Sequence, residues 1–99
     1  MNSKAEIERQ EFEWDEEKNR ININKHGISF KSAKKVFLDP ARIEYYDYEH
    51  SLFEDRYKVI GYVRNCLCVI YTNRDTKIRI ISARKANEEE RSIYYGNRI

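Results

Sequence analysis

The chain has 99 residues, of which 36% are charged and 40% hydrophobic, and its formal net charge at pH 7 is +2. This length predicts one domain with a modest core, and we expect that domain over residues 11–99 after a polar tail over residues 1–10. No apolar run is long enough to span a membrane, and the first residues lack the apolar segment of a signal peptide. We therefore expect a cytoplasmic protein.

The charges are arranged in blocks along the chain. Residues 1–17 and 43–55 are acidic, whereas residues 18–42 and 56–86 are basic. A local basic surface attracts phosphate groups even when the net charge is small. The alternative is surface charge that only keeps a small domain soluble. The basic blocks are therefore compatible with a nucleic-acid partner but do not require one.

The first predicted elements are a short strand and a helix. Acidic and aromatic residues alternate over residues 11–14, which indicates an edge strand. Asp15 is a good N-cap for a helix over residues 16–26, and its first turn is acidic, as the helix dipole favours. Gly27 follows at the position where helices commonly end.

A second helix and a second strand follow. Ser29 is the predicted N-cap, and Asp39 with Pro40 ends the helix. Residues 43–46 predict the strand. The helix is indicated by apolar residues at helical spacing, namely Phe30, Ala33, Val36 and Phe37.

Residues 56–86 predict a three-stranded antiparallel meander, because short runs of β-branched and aromatic residues alternate with polar turns. We place the turns at residues 64–65 and 73–76, which sets Tyr62 opposite Leu67. One side of this sheet is smaller and more apolar, and we expect helices to cover it. That side carries Tyr57, Val59, Gly61, Val63, Cys66, Cys68, Ile70, Arg79, Ile81 and Ala83.

The last predicted element is a helix over residues 88–95. Asn87 with Glu90 three residues later forms a capping box at its start. The predicted order of elements is β-α-α-β-β-β-β-α. This order gives an α+β fold with an antiparallel sheet and helices packed on one face.

The chemistry-bearing residues are basic and aromatic. The sequence has no phosphate-binding loop, no zinc-protease motif and no carboxylate cluster for a divalent metal, so we expect neither a metal nor a cofactor. Such a set suits RNA cleavage by the substrate's own 2′-OH, with one residue moving a proton and cations stabilising the transition state. The candidates are Lys25, His26, Arg56, Lys58, Tyr71, Arg74, Arg79 and Arg84.

Several candidates also have a purely structural interpretation. Lys25 and His26 lie in the last turn of the first predicted helix, where cations interact with free carbonyls. Arg56 follows two acidic residues and could be ion-paired, and Tyr71 could belong to the core. Histidine titrates near neutral pH, which suits His26 to proton transfer. Arg84, at the end of its strand, is the arginine most readily assigned a function.

Five segments, taken together and in order, resemble the BrnT family of toxins from bacterial type II toxin–antitoxin modules. The chain departs from the family pattern at Lys31 and Ser32, where acidic residues are usual, and at Asn73 and Asp75 in the hairpin turn. The matching segments are FEWDEEKNRININKHGISF (12–30), VFLDP (36–40), EDRYKVIG (54–61), VIYTNRDTKIRIISARKA (69–86) and ERSIYY (90–95).

This resemblance implies a RelE-like fold, metal-independent ribonuclease activity that blocks translation, and neutralisation by a BrnA-type antitoxin with a ribbon-helix-helix DNA-binding part. We expect a heterotetramer that binds operator DNA only through the antitoxin. The family pattern maps onto Trp14, Asp15, Lys18, Lys25, His26, Gly27, Glu54, Arg56, Tyr71, Arg79, Ser82 and Arg84. The expected catalytic residues are Lys25, His26, Arg56, Tyr71, Arg79 and Arg84. The expected RNA contacts are Lys18, Lys58, Arg74 and Lys77.

Two other functions fit the residues alone. The basic meander would suit a non-enzymatic protein that binds nucleic acid or the ribosome. The acidic N-terminal residues and the aromatic loop over residues 45–53 would suit a protein-interaction module. A neighbouring gene for a small ribbon-helix-helix protein would favour the toxin.

Overall fold

The computed structural model describes residues 9–96, and these contain one five-stranded sheet. Its strands are β1 (Glu11–Glu13), β2 (Ile43–Tyr46), β3 (Tyr57–Val63), β4 (Asn65–Arg74) and β5 (Lys77–Lys85). They lie in the order β1-β5-β4-β3-β2. β1 runs parallel to β5, and the other neighbouring pairs are antiparallel. The sheet is therefore antiparallel except at the β1 edge.

The helical elements complete the predicted order, which confirms the α+β fold class. They are α1 (Glu16–His26), α2 (Phe30–Ala33), a 3₁₀ helix η1 (Lys34–Leu38) and α3 (Glu88–Gly96). Within residues 9–96, no helix is long and apolar enough to cross a membrane. Most of the predicted polar tail, residues 1–8, lies outside the described residues, as do residues 97–99.

The helix ends are set by the predicted capping residues. The Asp15 carboxylate accepts hydrogen bonds from the backbone N–H groups of Glu17 and Lys18. Gly27 ends α1 in the left-handed conformation, with φ 70°, which glycine adopts without steric cost. At α3, Asn87 and Glu90 each accept a hydrogen bond from the other's backbone N–H, at 2.8 and 2.9 Å.

One face of the sheet is covered by α1, α2 and η1. η1 approaches β3 so closely that a Cβ on Gly61 would lie 3.0 Å from the Cβ of Val36. Burying one large apolar side chain contributes about 1.5–3 kcal/mol, so this layer supplies most of the core. Its buried residues are Phe30, Ala33, Val36, Phe37, Val59, Leu67, Val69, Tyr71, Ile78, Ile80 and Ala83.

The last helix, α3, lies on the other face. Its Tyr94 is buried with Ile60 and Cys66, which point away from the first core because side chains alternate along a strand. The prediction placed all helices on one face. α3 differs because its first turn carries Glu90, which pairs with cations on this second face.

The register of the meander differs from the predicted one by one residue. Tyr62 lies opposite Cys66, not Leu67, because the β3–β4 turn is centred on Arg64 alone, at φ 60°. Leu67 and its alternate neighbours along β4 therefore face the first core. A β-bulge between Ile70 and Tyr71 then shifts the pairing of β4 with β5.

Candidate active site

The C-terminal end of α1 is anchored to the edge of β5. In the described chain, β1 pairs with only the first residues of β5, so the rest of this edge lacks a strand partner. The buried side-chain amide of Asn22 replaces that partner. It donates to the Ala83 carbonyl at 2.8 Å and accepts from the Ala83 N–H at 3.2 Å. The last turn of α1 is therefore held beside the end of β5.

An open pocket of about 570 Å³ lies where α1 and β5 meet. We call it the cationic pocket, and its lining is Lys25, His26, Arg84, Lys85 and Asn87. Among the described residues, none of Lys25, His26 and Lys85 has an ion-pair partner. Within residues 9–96, the cations of this pocket other than Arg84 thus form no ion pair that would neutralise their charge.

Arg84 is held by a bidentate ion pair with Glu90. The two nitrogen–oxygen distances are 2.7 and 2.9 Å. Burial acts to raise the pKa of Glu90, but hydrogen bonds from Arg84 and from the Asn87 backbone outweigh it and lower the pKa to about 2. Glu90 is therefore ionised at neutral pH. A guanidinium has five N–H donors, so Arg84 keeps donors for a phosphate.

Lys58 and Cys68 lie behind the Arg84–Glu90 pair. The Lys58 ammonium is 3.6 Å from the Glu90 carboxylate, and its side chain is 18% exposed. Lys58, an expected RNA contact, is thus engaged with Glu90. Burial first, and then the charge of Glu90, raises the pKa of the Cys68 thiol to about 12. A thiol with this pKa is protonated at neutral pH and is a poor nucleophile.

The other three expected catalytic residues do not line the cationic pocket. Tyr71 is buried, and its hydroxyl donates to the Glu44 carboxylate at 2.6 Å. Burial, followed by that hydrogen bond, raises the pKa of Tyr71. Each of the two arginines is ion-paired: Arg79 with Glu13 at 3.0 Å, and Arg56 with Glu54 at 3.2 Å.

The remaining expected RNA contacts are dispersed. Lys18 and Lys77 are exposed, and Arg74 lies 3.7 Å from Glu54, near Arg56. In the observed register, Arg84 lies in the same row as Ile60, and Arg56 precedes Ile60 by four residues. These two arginines are therefore separated by roughly 13 Å along the strands and by roughly 10 Å across them, since β4 lies between their strands.

Four residues that build the pocket were not among the predicted site residues. Lys85 directly follows Arg84, and Asn87 and Glu90 were identified only as a capping box. Lys85, Asn87 and Glu90 lie one, three and six residues after Arg84, and this nearness in sequence was the available signal for all three. Asn22 had no such signal, because the residue that it binds is 61 positions away in the sequence.

Comparisons with known proteins agree with this architecture. No curated protein sequence matches the chain significantly. The crystal structure of the Brucella abortus ribonuclease toxin, BrnT, at 1.1 Å resolution is similar, with a TM-score of 0.63 and 25% sequence identity. The match covers 80% of this chain and 99% of that one. The family model of BrnT, the ribonuclease toxin of type II toxin–antitoxin systems, matches residues 14–90 of the sequence. The chain therefore belongs to the BrnT family of ribonuclease toxins.

Proposed function

We propose that this protein is a metal-independent endoribonuclease that cleaves RNA in the cationic pocket and thereby inhibits translation. Family membership supports the ribonuclease activity. The observation that carries the site assignment is the convergence of Lys25, His26 and Arg84 in one pocket. Of the expected catalytic residues, these three act on the phosphate. Tyr71, Arg56 and Arg79 support the fold through their carboxylate partners.

The proposed reaction is an intramolecular transesterification. His26 accepts the proton of the 2′-OH, because a neutral imidazole nitrogen can act as a base near neutral pH. The 2′-oxygen forms a bond to phosphorus and the bond from phosphorus to the 5′-oxygen breaks, which leaves a 2′,3′-cyclic phosphate. A pocket cation or a water molecule protonates the departing 5′-oxygen.

The pocket charges have distinct tasks in this proposal. Arg84 donates to the non-bridging oxygens of the phosphorane-like transition state, where negative charge develops. Lys25 and Lys85, which have no ion-pair partner among residues 9–96, draw the RNA backbone into the pocket. Glu90 is a positioning residue, since it fixes the orientation of the Arg84 guanidinium before substrate binds.

The cationic lining also supports cleavage without a metal. Lys25, Arg84 and Lys85 outweigh the charge of Glu90, so the pocket carries a net positive charge that repels a divalent cation and can itself stabilise the transition state. With purified protein, RNA cleavage should persist in excess chelator and leave cyclic or 3′-phosphate ends. Loss of activity in chelator, with specific recovery on adding magnesium, would overturn this mechanism.

Growth experiments test the function as a whole. Expression of the chain alone in the bacterial cytoplasm should inhibit translation and arrest cell growth. Co-expression of the antitoxin should restore growth. A variant with His26 replaced by alanine is the matched control for nonspecific toxicity. Normal growth with folded wild-type protein accumulating would contradict a toxin function for this chain.

The family implies an antitoxin partner. We extend this to a BrnA-type antitoxin with a ribbon-helix-helix part, in a heterotetramer that contacts operator DNA through the antitoxin alone. Light scattering on the co-purified complex measures the stoichiometry, and a gel-shift assay with the complex and with each protein alone measures DNA binding. DNA binding by this chain alone would contradict the proposal.

The loop between β2 and β3 supports a protein contact of this kind. Its side chains Tyr48, Leu52 and Phe53 are 84%, 79% and 99% exposed, and such clustered apolar exposure marks interaction surfaces. We assign the loop to the antitoxin. Phe53→Ser should weaken co-purification of the antitoxin without slowing RNA cleavage, and Arg20→Ser is a control at an exposed site elsewhere.

A further inference from the structure

A second pocket lies beside the cationic pocket, on the other side of α1. It has a volume of about 400 Å³. Ile23 and Gly27, which lie one turn apart on the same side of the helix, line it together with Ile28. Val63 and Leu67 complete an apolar floor. Apart from Lys85, which also lines the cationic pocket, none of its lining residues was given a role in the reaction above.

The rim of the second pocket is positively charged. Lys35, Arg64 and Lys85 contribute to it, and within the part of the chain that the structure describes no Asp or Glu lines the pocket. Among the described residues, none of these three cations has an ion-pair partner. An apolar floor surrounded by free cations is complementary to a group that is flat and apolar at one end and anionic at the other.

The two pockets share one lining residue, so a single substrate chain could occupy both. Lys85 lines both of them. It directly follows Arg84 on β5, and successive side chains of a strand point to opposite faces, so the two pockets meet at the end of this strand. A chain of phosphates that leaves the cationic pocket past Lys85 therefore enters the second pocket.

We propose that the second pocket binds the base of the nucleotide adjacent to the scissile phosphate of single-stranded RNA. The inference rests on the proposed ribonuclease function and adds a specificity subsite to it. The base lies on the apolar floor, and the rim cations contact the flanking phosphates. Only an unstacked base can enter, which selects single-stranded RNA. We call this site the base pocket.

Two substitutions perturb the base pocket in different ways. Ser32→Phe fills it, because Ser32 lines the pocket and is exposed on the short helix α2. Arg64→Asn removes a rim charge while tolerating the left-handed turn at φ 60°, since asparagine adopts that conformation readily. Lys31→Ala is the matched control, because Lys31 is an exposed cation next to Ser32 that does not line the pocket.

Cleavage-site mapping on a long RNA gives the first readout. The wild-type protein should prefer certain bases at one position next to the cut. Ser32→Phe should lower cleavage at preferred sites about 10-fold and flatten that preference, as loss of a pocket contact for a base or side chain typically does. Arg64→Asn should lower cleavage without changing the preference. If both variants gave the same cleavage-site map as the wild-type protein, the base pocket would be overturned.

Binding of an uncleavable RNA gives a second readout that does not depend on catalysis. A 2′-O-methyl hexanucleotide lacks the nucleophile, and its addition to the isotope-labelled full chain should shift the amide signals of Ile28, Val63 and Leu67. These shifts should disappear in Ser32→Phe and persist in Lys31→Ala. Shifts confined to the cationic pocket would overturn the base pocket while leaving the ribonuclease proposal intact.

Two further outcomes separate the proposals. If the wild-type protein does not cleave RNA but shows these shifts, the ribonuclease proposal fails, and the pocket binds an RNA base without serving as a cleavage subsite, which overturns the base pocket as proposed. If Ser32→Phe cleaves and binds RNA normally but no longer binds the antitoxin, the pocket is a protein contact, and the base pocket is overturned.

Discussion

The two ends of the sheet carry similar residues in different electrostatic settings. At the end near α1, Lys25, His26 and Lys85 have no ion-pair partner within the described chain, and one arginine is aligned by a carboxylate. At the opposite end, Arg56 and Arg74 both lie within 4 Å of the same glutamate. Residue type alone therefore does not identify the site. Exposure and the number of carboxylate partners distinguish a surface that can receive a phosphate from one that is already neutralised.

The difference follows from where the acidic block lies in the fold. Residues 43–55 form β2 and the loop after it, next to the start of β3. They supply Glu44 to Tyr71 and Glu54 to Arg56. The end of α1 lies at the far edge of the sheet from β2, so this acidic block does not reach it. At that end, Glu90 binds Arg84, whereas the exposed Glu88 and Glu89 form no ion pair among the described residues.

The largest expected effect tests Arg84 against its closest counterpart. Arg84 and Arg79 both lie on β5, and each is paired with a carboxylate, but only Arg84 lines the cationic pocket. Arg84→Ala should slow RNA cleavage about 10²–10³-fold, as loss of a transition-state donor typically does. Arg79→Ala should stay within about 5-fold of wild type, since we give it no role in that donor set. Single-turnover cleavage with excess protein measures both rates.

A double variant separates a loss of catalysis from a loss of folding in this comparison. Arg84→Ala leaves the Glu90 carboxylate buried with fewer partners, which is itself destabilising. Arg84→Ala combined with Glu90→Gln removes that charge. Equal loss of cleavage in the single and the double variant, with both variants folded at the assay temperature, would assign the loss to chemistry. Recovery of cleavage in the double variant would contradict a direct role for Arg84.

The next effect concerns stability at the α1 end. Glu90 has a folded-state pKa of about 2, against an ordinary value of 4.5. A lowered carboxyl pKa stabilises the fold above the ordinary value, and this contribution is lost as pH falls from about 4.5 through about 2. At about 1.4 kcal/mol per pKa unit, the ionised group contributes on the order of 3 kcal/mol to the free energy of unfolding at neutral pH.

Urea unfolding at several pH values measures this contribution. Glu90→Gln should lower the free energy of unfolding at pH 7 by about 2–3 kcal/mol and flatten its dependence on pH below 4.5. Glu89→Gln, at an exposed neighbour in the same helical turn, should do neither. If the free energy of unfolding of Glu90→Gln still fell below pH 4.5 as it does in wild type, the ion pair would not be what holds α3 against the sheet.

The smallest expected effect on activity is at the opposite end. Tyr71→Phe removes the hydroxyl that binds Glu44, which should cost about 1–3 kcal/mol of stability because a buried hydrogen bond to a charged group is lost. Cleavage by the folded variant should stay within about 3-fold of wild type, because we assign that hydroxyl no catalytic contact. A 100-fold loss of cleavage in a fully folded Tyr71→Phe protein would place the catalytic site at the Tyr71 end of the sheet.

The elements of the fold could be predicted where their causes are local. Asp15, Gly27 and the Asn87–Glu90 capping box each act within one helical turn, and each helix end lies where these residues place it. The register could not be predicted, because it depends on a single-residue turn in which Arg64 adopts a left-handed conformation that asparagine or glycine would normally signal.

The candidate site could be predicted only in part for a similar reason. The sequence indicated that Lys25, His26 and Arg84 could meet, since a helix end can lie beside a strand end in a layered fold. The hydrogen bonds that hold α1 beside β5 were not predictable, because the Asn22 side chain binds the backbone of Ala83, 61 positions away. Ion pairing of Arg79 with Glu13, across a span of 66 residues, was hidden for the same reason.

The most direct test of the central claim compares one residue from each end. His26→Ala and Arg56→Ala proteins are purified as antitoxin complexes, released, checked for equal melting, and assayed on the same RNA in single turnover. We expect His26→Ala to cleave at least about 100-fold more slowly than wild type and Arg56→Ala to stay within about 5-fold. The reverse ranking would contradict the assignment of catalysis to the cationic pocket.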